Sequence, residues 1–245
     1  MNSKELEIMA QGGHLLAQVR DTLAKSAKAG MTPVELDALA DTLIDQTGGQ
    51  AAFKKVPDYH HATCININTG VVHGIPTKIP FQIGDIVSID VGLYYKGLYT
   101  DTAVTVCIGG HPTPAQKKFL DTGVLALQAG IKAAVPGAFV SNISKAVEAV
   151  IKAAGYSTIK ELTGHGVGKQ LHMDPYVPNY YDPHAPDSQL YTGQTLAIEP
   201  MYSTGSGKIA FAKDGWTITT ADHSTAALFE HTIAITSRGP RILTI

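Results

Sequence analysis

The chain has 245 residues, of which 44% are hydrophobic and 16% charged, with a formal net charge of −2; this balance fits a compact globular domain and offers no basic footprint for nucleic acid. Two cysteines, Cys64 and Cys107, are too few for a disulfide framework. The start of the chain, Met1-Asn2-Ser3-Lys4-Glu5-Leu6-Glu7, lacks a signal-peptide core and no membrane-length apolar run follows, so a cytoplasmic location is expected.

In chain order, Leu6, Met9, Leu15, Leu16, Val19 and Leu23 recur at helical spacing and predict a first helix. A second opens on Thr32-Pro33-Val34-Glu35, a capping box with proline at the first helical position, and ends near Gly48-Gly49. The segment from Ile86 to Val106 reads as two β-branched strands joined at Lys96-Gly97. A two-residue turn there pairs Gly92 with Asp101, which puts Asp90 on the same face as Asp101 and diagonal to it. A four-residue loop would set the two directly opposite, and only an odd-length loop would split them. Thr113-Pro114-Ala115-Gln116 starts a third helix, Ser141 is expected to cap a fourth that stops at Gly155, and strands follow. The order helix, helix, strands occurs twice with no low-complexity linker. It predicts one domain over 1–245 built from two similar halves, roughly 1–110 and 111–245, related by a pseudo-two-fold.

Side-by-side carboxylates repel unless a proton or cation lies between them. Aspartate is disfavoured in strands, and Ile89 and Val91 mark Asp90 as buried, where an unpaired charge costs roughly several kcal/mol. The same anomaly recurs at Glu199, after Thr195-Leu196-Ala197-Ile198, and at Glu230, inside Ala226-Ala227-Leu228-Phe229-Glu230-His231-Thr232-Ile233. Between these pairs lies Gly164-His165-Gly166-Val167-Gly168, where glycines let the backbone approach something closely. Four carboxylates balance the charge of two divalent cations, and a neutral imidazole adds a ligand without charge. An oxygen-rich set with one imidazole suits Mn, Fe, Co or Zn, and no thiolate is placed to demand a softer metal. His14, His60, His61, His111, His184 and His223 read as ordinary surface or core histidines.

Six motifs occur in order from about Met9 to the C-terminus: Val72-His73-Gly74-Ile75-Pro76, the Asp90 to Asp101 hairpin, Gly164-His165-Gly166-Val167-Gly168, Ile198-Glu199-Pro200-Met201, Lys213-Asp214-Gly215-Trp216 and Phe229-Glu230-His231-Thr232. Together they resemble the type I methionine aminopeptidases of the short bacterial kind. The resemblance implies an α+β pita-bread fold, a curved antiparallel sheet covered by helices, with the metals between the halves. It implies that Asp90 binds one metal, that His165 and Glu199 bind the other, and that Asp101 and Glu230 bridge. Two such metals share a water that supplies hydroxide near neutral pH while one polarises the scissile carbonyl. Glu199 would then be the general base, His172 would stabilise the oxyanion, and His73 would reach the amide on the leaving-group side. Tyr59, Cys64 and Trp216 would wall a pocket matched to one methionine side chain.

The implied substrates are the N-termini of nascent polypeptides with a small second residue. The chain is expected to be a monomer without a membrane or nucleic-acid partner, and ribosome contact is left open. Leu171 stands where the family usually has an aromatic, Met173-Asp174 where it usually has two acids, and Phe53 to His61 lacks several of its usual residues. Pocket shape and second-residue preference should therefore differ, with the metal chemistry intact. Proline-specific peptidases of the same fold usually bear a large N-terminal domain, for which the segment before Ile86 leaves little room, and non-catalytic binding paralogues typically lose metal ligands, all five of which this chain keeps. A phosphate loop fails because the Walker spacing needs glycine at Thr163 and serine or threonine at Gln170.

Overall fold

The computed structural model describes all 245 residues. Helix α1, Ser3–Ser26, starts where the Asn2 side chain accepts the Glu5 N–H and the Glu5 carboxylate accepts the Asn2 N–H. Helix α2, Pro33–Gln46, starts at the expected Thr32/Glu35 capping box. Strands β1 (Gln50–Ala51), β2 (Thr63–Ile67), β3 (Gly70–Val72), β4 (Ile86–Tyr95) and β5 (Leu98–Cys107) follow. Lys96 and Gly97 turn the β4–β5 hairpin with φ of 48° and 91°, the left-handed pair a two-residue hairpin favours. Its register pairs Gly92 with Asp101 and Asp90 with Ala103, so Asp90 and Asp101 lie diagonally on one face, as the turn length predicts.

Strand β4 pairs with β5 along one edge and with β1 and β2 along the other. Its alternation divides two environments. Val87, Ile89, Val91 and Leu93 pack under α1 and α2 with Leu16, Leu23, Leu36 and Ile44, while Ser88, Asp90 and Gly92 turn to the opposite face.

Helices α3 (Pro114–Ala133) and α4 (Val140–Ala153) cover the second part of the chain. Contrary to the expectation from sequence, Ser141 does not cap α4. It lies inside the first turn, and its N–H donates to the Asp187 carboxylate at 3.0 Å. The flanking residue is Phe139, whose N–H is accepted by Asn142 Oδ1 at 2.8 Å. An acceptor brought from a distant loop thus replaces the local one.

Strands β6 (Ser157–Thr158), β7 (Thr163–Gly166), β8 (Met173–Pro178), β9 (Thr195–Ile198), β10 (Met201–Ser203), β11 (Ile209–Phe211), β12 (Ile218–Thr220), β13 (Ala226–Leu228), β14 (His231–Thr236) and β15 (Gly239–Ile242) complete the chain. They form an antiparallel sheet in the order β15-β14-β9-β7-β8 and two three-stranded sheets, β13-β10-β6 and β11-β12-β3. Phe119, Ile131, Ile143 and Val147 of the helices bury Leu196, Ile198, Ile233 and Ile235 of the sheet. The two sheet systems meet where Glu230 N–H donates to the Ala103 carbonyl at 3.0 Å and Ala103 N–H to that of Glu230 at 3.4 Å. This junction brings Asp101 of the first system beside Glu230 of the second. No helix is long and apolar enough to cross a membrane.

Candidate metal centre

Each candidate ligand stands within a strand or at its end. Asp90 and Asp101 come from β4 and β5, and His165 from β7. Glu199 lies between the end of β9 and Pro200, and Glu230 between β13 and β14. Donor atoms of Asp101, His165 and Glu230 all lie within 4.8 Å of one another, and Glu199 Oε1 lies 3.4 Å from His165 Nε2. Gly164 and Gly166 do permit a close approach, and the partners are neighbouring strands. A Cβ at Gly164 would come within 2.4 Å of the Ala197 carbonyl oxygen, and one at Gly166 within 2.3 Å of that of Asp174. The glycines seat β7 deep enough to carry His165 into the cluster.

The electrostatics are those of like charges held out of water. Burial pushes Asp90 up to about 7, against its hydrogen bond with Asp101. Asp101 is held well above the usual carboxylate range by burial and then by the charges of Glu230 and Asp90. Glu199 is raised by burial and then by Asp90 and Asp101. Glu230 is raised by burial, Glu199 and Asp90, with Arg20 opposing. Burial and then His172 bring His165 down to about 4, so its imidazole is neutral near pH 7. His165 Nδ1–H donates to the Gly166 carbonyl at 2.9 Å, which leaves the Nε2 lone pair facing Glu199 and free to bind a cation.

The residues fit a metal. Asp90 Oδ1 and Glu230 Oε1 are buried without a hydrogen-bond partner, although buried carboxylate oxygens are costly when unsatisfied. Hard oxygen donors with one imidazole suit a first-row divalent cation. The backbone of Asp101 is fixed by Thr232, whose Oγ1 accepts the Asp101 N–H at 2.9 Å and donates to its carbonyl at 2.8 Å.

All four carboxylates and His165 line a cavity of about 440 Å³. Tyr59, Cys64 and Trp216 line it too. Cys64 of β2 pairs in register with Asp90, and burial followed by the Asp90 charge keeps its thiol protonated. Tyr59 Oη donates to the Thr63 carbonyl at 2.8 Å and lies 3.1 Å from Cys64 Sγ, and its ring meets Trp216 edge-on with centroids 5.0 Å apart. His73 and His172 reach the same cavity with a solvent-facing edge, and burial lowers both pKa values. The His172 ring lies 4.4 Å from that of His165 between centroids. His73 sits in the left-handed region at φ 56°. It is held there by the next residue, Gly74, whose N–H donates to Asn66 Oδ1 and whose carbonyl accepts the Ile65 N–H, both at 2.9 Å.

Sequence reasoning missed Phe53, Met201 and Tyr176 as cavity residues. Phe53 packs with Leu171, Tyr59 and Cys64, so Leu171, noted as a departure, does shape the wall. Tyr176, an isolated aromatic on β8, carries no signal in the sequence.

Three buried carboxylates and the largely buried Glu199 around one imidazole would weaken a core unless cations bind there, and they place this chain among the metal-dependent hydrolases. Residues 7–237 match the model of metallopeptidase family M24, and the chain belongs to that family. It is 38% identical over 241 residues to methionine aminopeptidase 1 of Bacillus subtilis, covering 98% of this chain and 96% of that one. Its structure is similar to that of the methionine aminopeptidase from Thermotoga maritima, with a TM-score of 0.95, 38% identity and coverage of 100% and 98%. The prolidase from Pyrococcus furiosus shares the fold at a TM-score of 0.81 and 22% identity; the match covers 100% of this chain and 64% of that one. This is the pita-bread fold expected from the sequence.

Proposed function

We propose that the chain removes the N-terminal methionine from nascent polypeptides whose second residue is small. The observation that carries this is the cavity itself. Its apolar wall of Tyr59, Cys64 and Trp216 abuts the ligand cluster, so a side chain seated against that wall brings its own carbonyl to the cluster. Two divalent cations drawn from Co, Mn, Fe and Zn would be held by Asp90 on one side and by His165 and Glu199 on the other, with Asp101 and Glu230 shared. Such a pair, when bound, lowers the pKa of water and polarises the scissile carbonyl.

Glu199, ionised once bound cations offset the charges of Asp90 and Asp101, takes a proton from the attacking water and passes it to the leaving amine. His172, neutral at working pH, donates a hydrogen bond to the oxygen that gains charge. His73, fixed by its strained backbone, orients the amide on the leaving-group side. The same reading has the chain act in the cytoplasm, as a monomer, on emerging polypeptides.

A peptide panel tests this. The metal-loaded protein should release methionine from Met-Ala-Ser about 10²-fold faster than leucine from Leu-Ala-Ser, because a cavity matched to an unbranched side chain discriminates by shape. Cleavage of Ala-Pro-Ser at a comparable or higher rate would move the assignment to a proline-specific peptidase of the same fold.

A further inference from the structure

Beneath the ligand cluster lies a charged side chain that the chemistry above does not use. Arg20 of α1 is 9% exposed, and its Nε and Nη2 donate to Asp21 Oδ1 at 2.9 and 2.8 Å. Its remaining nitrogen, Nη1, points inward, donating to Thr102 Oγ1 at 2.9 Å and to the Thr244 carbonyl at 3.1 Å, and lying 3.4 Å from His231 Nδ1. Thr102 Oγ1 in turn donates its own hydrogen to the Glu230 carbonyl at 2.8 Å. Thr244 Oγ1 accepts the Thr232 N–H at 3.2 Å and lies 2.8 Å from His231 Nδ1.

One guanidinium thus ties α1 to β5, to the start of β14 and to the C-terminal segment. Thr102 directly follows Asp101 and His231 directly follows Glu230, the two ligands assigned to both metals. Burying a guanidinium is costly, and the carboxylate Arg20 does engage, that of Asp21, is 55% exposed. An apolar side chain would fill the position at lower cost if helix packing were its whole purpose.

We propose that Arg20 is a positioning residue of the metal centre, clamping the Asp101–Thr102 and Glu230–His231 segments together so that the shared carboxylates are set before metal arrives. This inference rests on the metal-centre reading above. It also has a distinctive sign. Removing a positive charge from behind four carboxylates should by itself tighten divalent-cation binding, whereas removing a clamp should weaken it.

Calorimetric titration of Co(II) or Mn(II) into the metal-stripped full chain decides between them. Arg20→Met is expected to weaken binding by about 10–100-fold, the usual effect of losing a group that orients ligands. Thr102→Val, which keeps the Arg20 charge and removes the link to the Glu230 carbonyl, is expected to weaken it too. Unchanged or tighter binding by Arg20→Met, or wild-type affinity in Thr102→Val, overturns the proposal even where the melting temperature falls. If Arg20→Met does not fold, Thr102→Val decides alone. Failure of the wild-type chain to bind either metal would instead overturn the metal-centre reading, and the proposal with it.

Discussion

The Glu199→Gln chain should release methionine from Met-Ala-Ser about 10³-fold more slowly than the wild type, within the range that positioned proton transfer contributes. Its metal-free form should nonetheless melt at a higher temperature than metal-free wild type. Both effects follow from one fact. Glu199 is largely buried beside Asp90 and Asp101, and its desolvation followed by their charges raises its pKa; its Oε1 faces His165 Nε2 at 3.4 Å. Glutamine keeps the volume and removes a carboxyl that the metal-free fold accommodates only at the cost of repulsion or of taking up a proton. It also removes the group that accepts the proton and one candidate metal ligand. Paired kinetic and melting measurements check this, and a Glu199→Gln chain that loses both activity and metal-free stability would point to a structural role.

Metal removal should invert the ordinary pH dependence of stability. Asp90 is raised to about 7 by burial, and Asp101, Glu199 and Glu230 are raised as well. Their unfolded values lie near about 4. A carboxyl whose folded pKa is raised binds more protons in the folded state, so its stability contribution is full below about pH 4 and is lost as pH rises through the folded value. Metal-free protein should therefore be less stable at pH 7.5 than at pH 5.5, by an amount on the order of a few kcal/mol. Divalent metal should reverse the trend, because the ionised carboxylates are then ligands and binding to the folded state alone adds stability. Melting curves at the two pH values, in chelator and in excess Mn(II), measure it; identical pH dependence in both would contradict the coupling.

How far the site could be read from the sequence depended on how local each cause was. The β4–β5 hairpin was legible because a two-residue turn at Lys96-Gly97 and a side-chain period of two place Asp90 and Asp101 on one face without any tertiary information. Glu199 and Glu230 stood out because each charge interrupts an apolar run. Helices α1 to α3 were legible from periodicity and, for α2 and α3, from their capping boxes. The start of α4 was not, because Asp187, far along the chain, supplies an acceptor in its first turn. Arg20 was hidden for the same reason. Beside Asp21 on a helix it looks like part of a solvated face, and its partners Thr102 and Thr244 are 82 and 224 residues away. The glycines around His165 signalled close approach, while only the folded sheet shows that the approach is to the carbonyls of Ala197 and Asp174. His73 was recognised by its motif, but its left-handed backbone depends on Asn66 and Ile65 across the neighbouring strand.

The most direct test of the metal centre is release of free methionine from Met-Ala-Ser by the metal-stripped chain, before and after Co, Mn, Fe or Zn is restored. Turnover should be absent in chelator and return with at least one of these cations. Turnover that persists in excess chelator, or folded protein that stays inactive with all four, would contradict it.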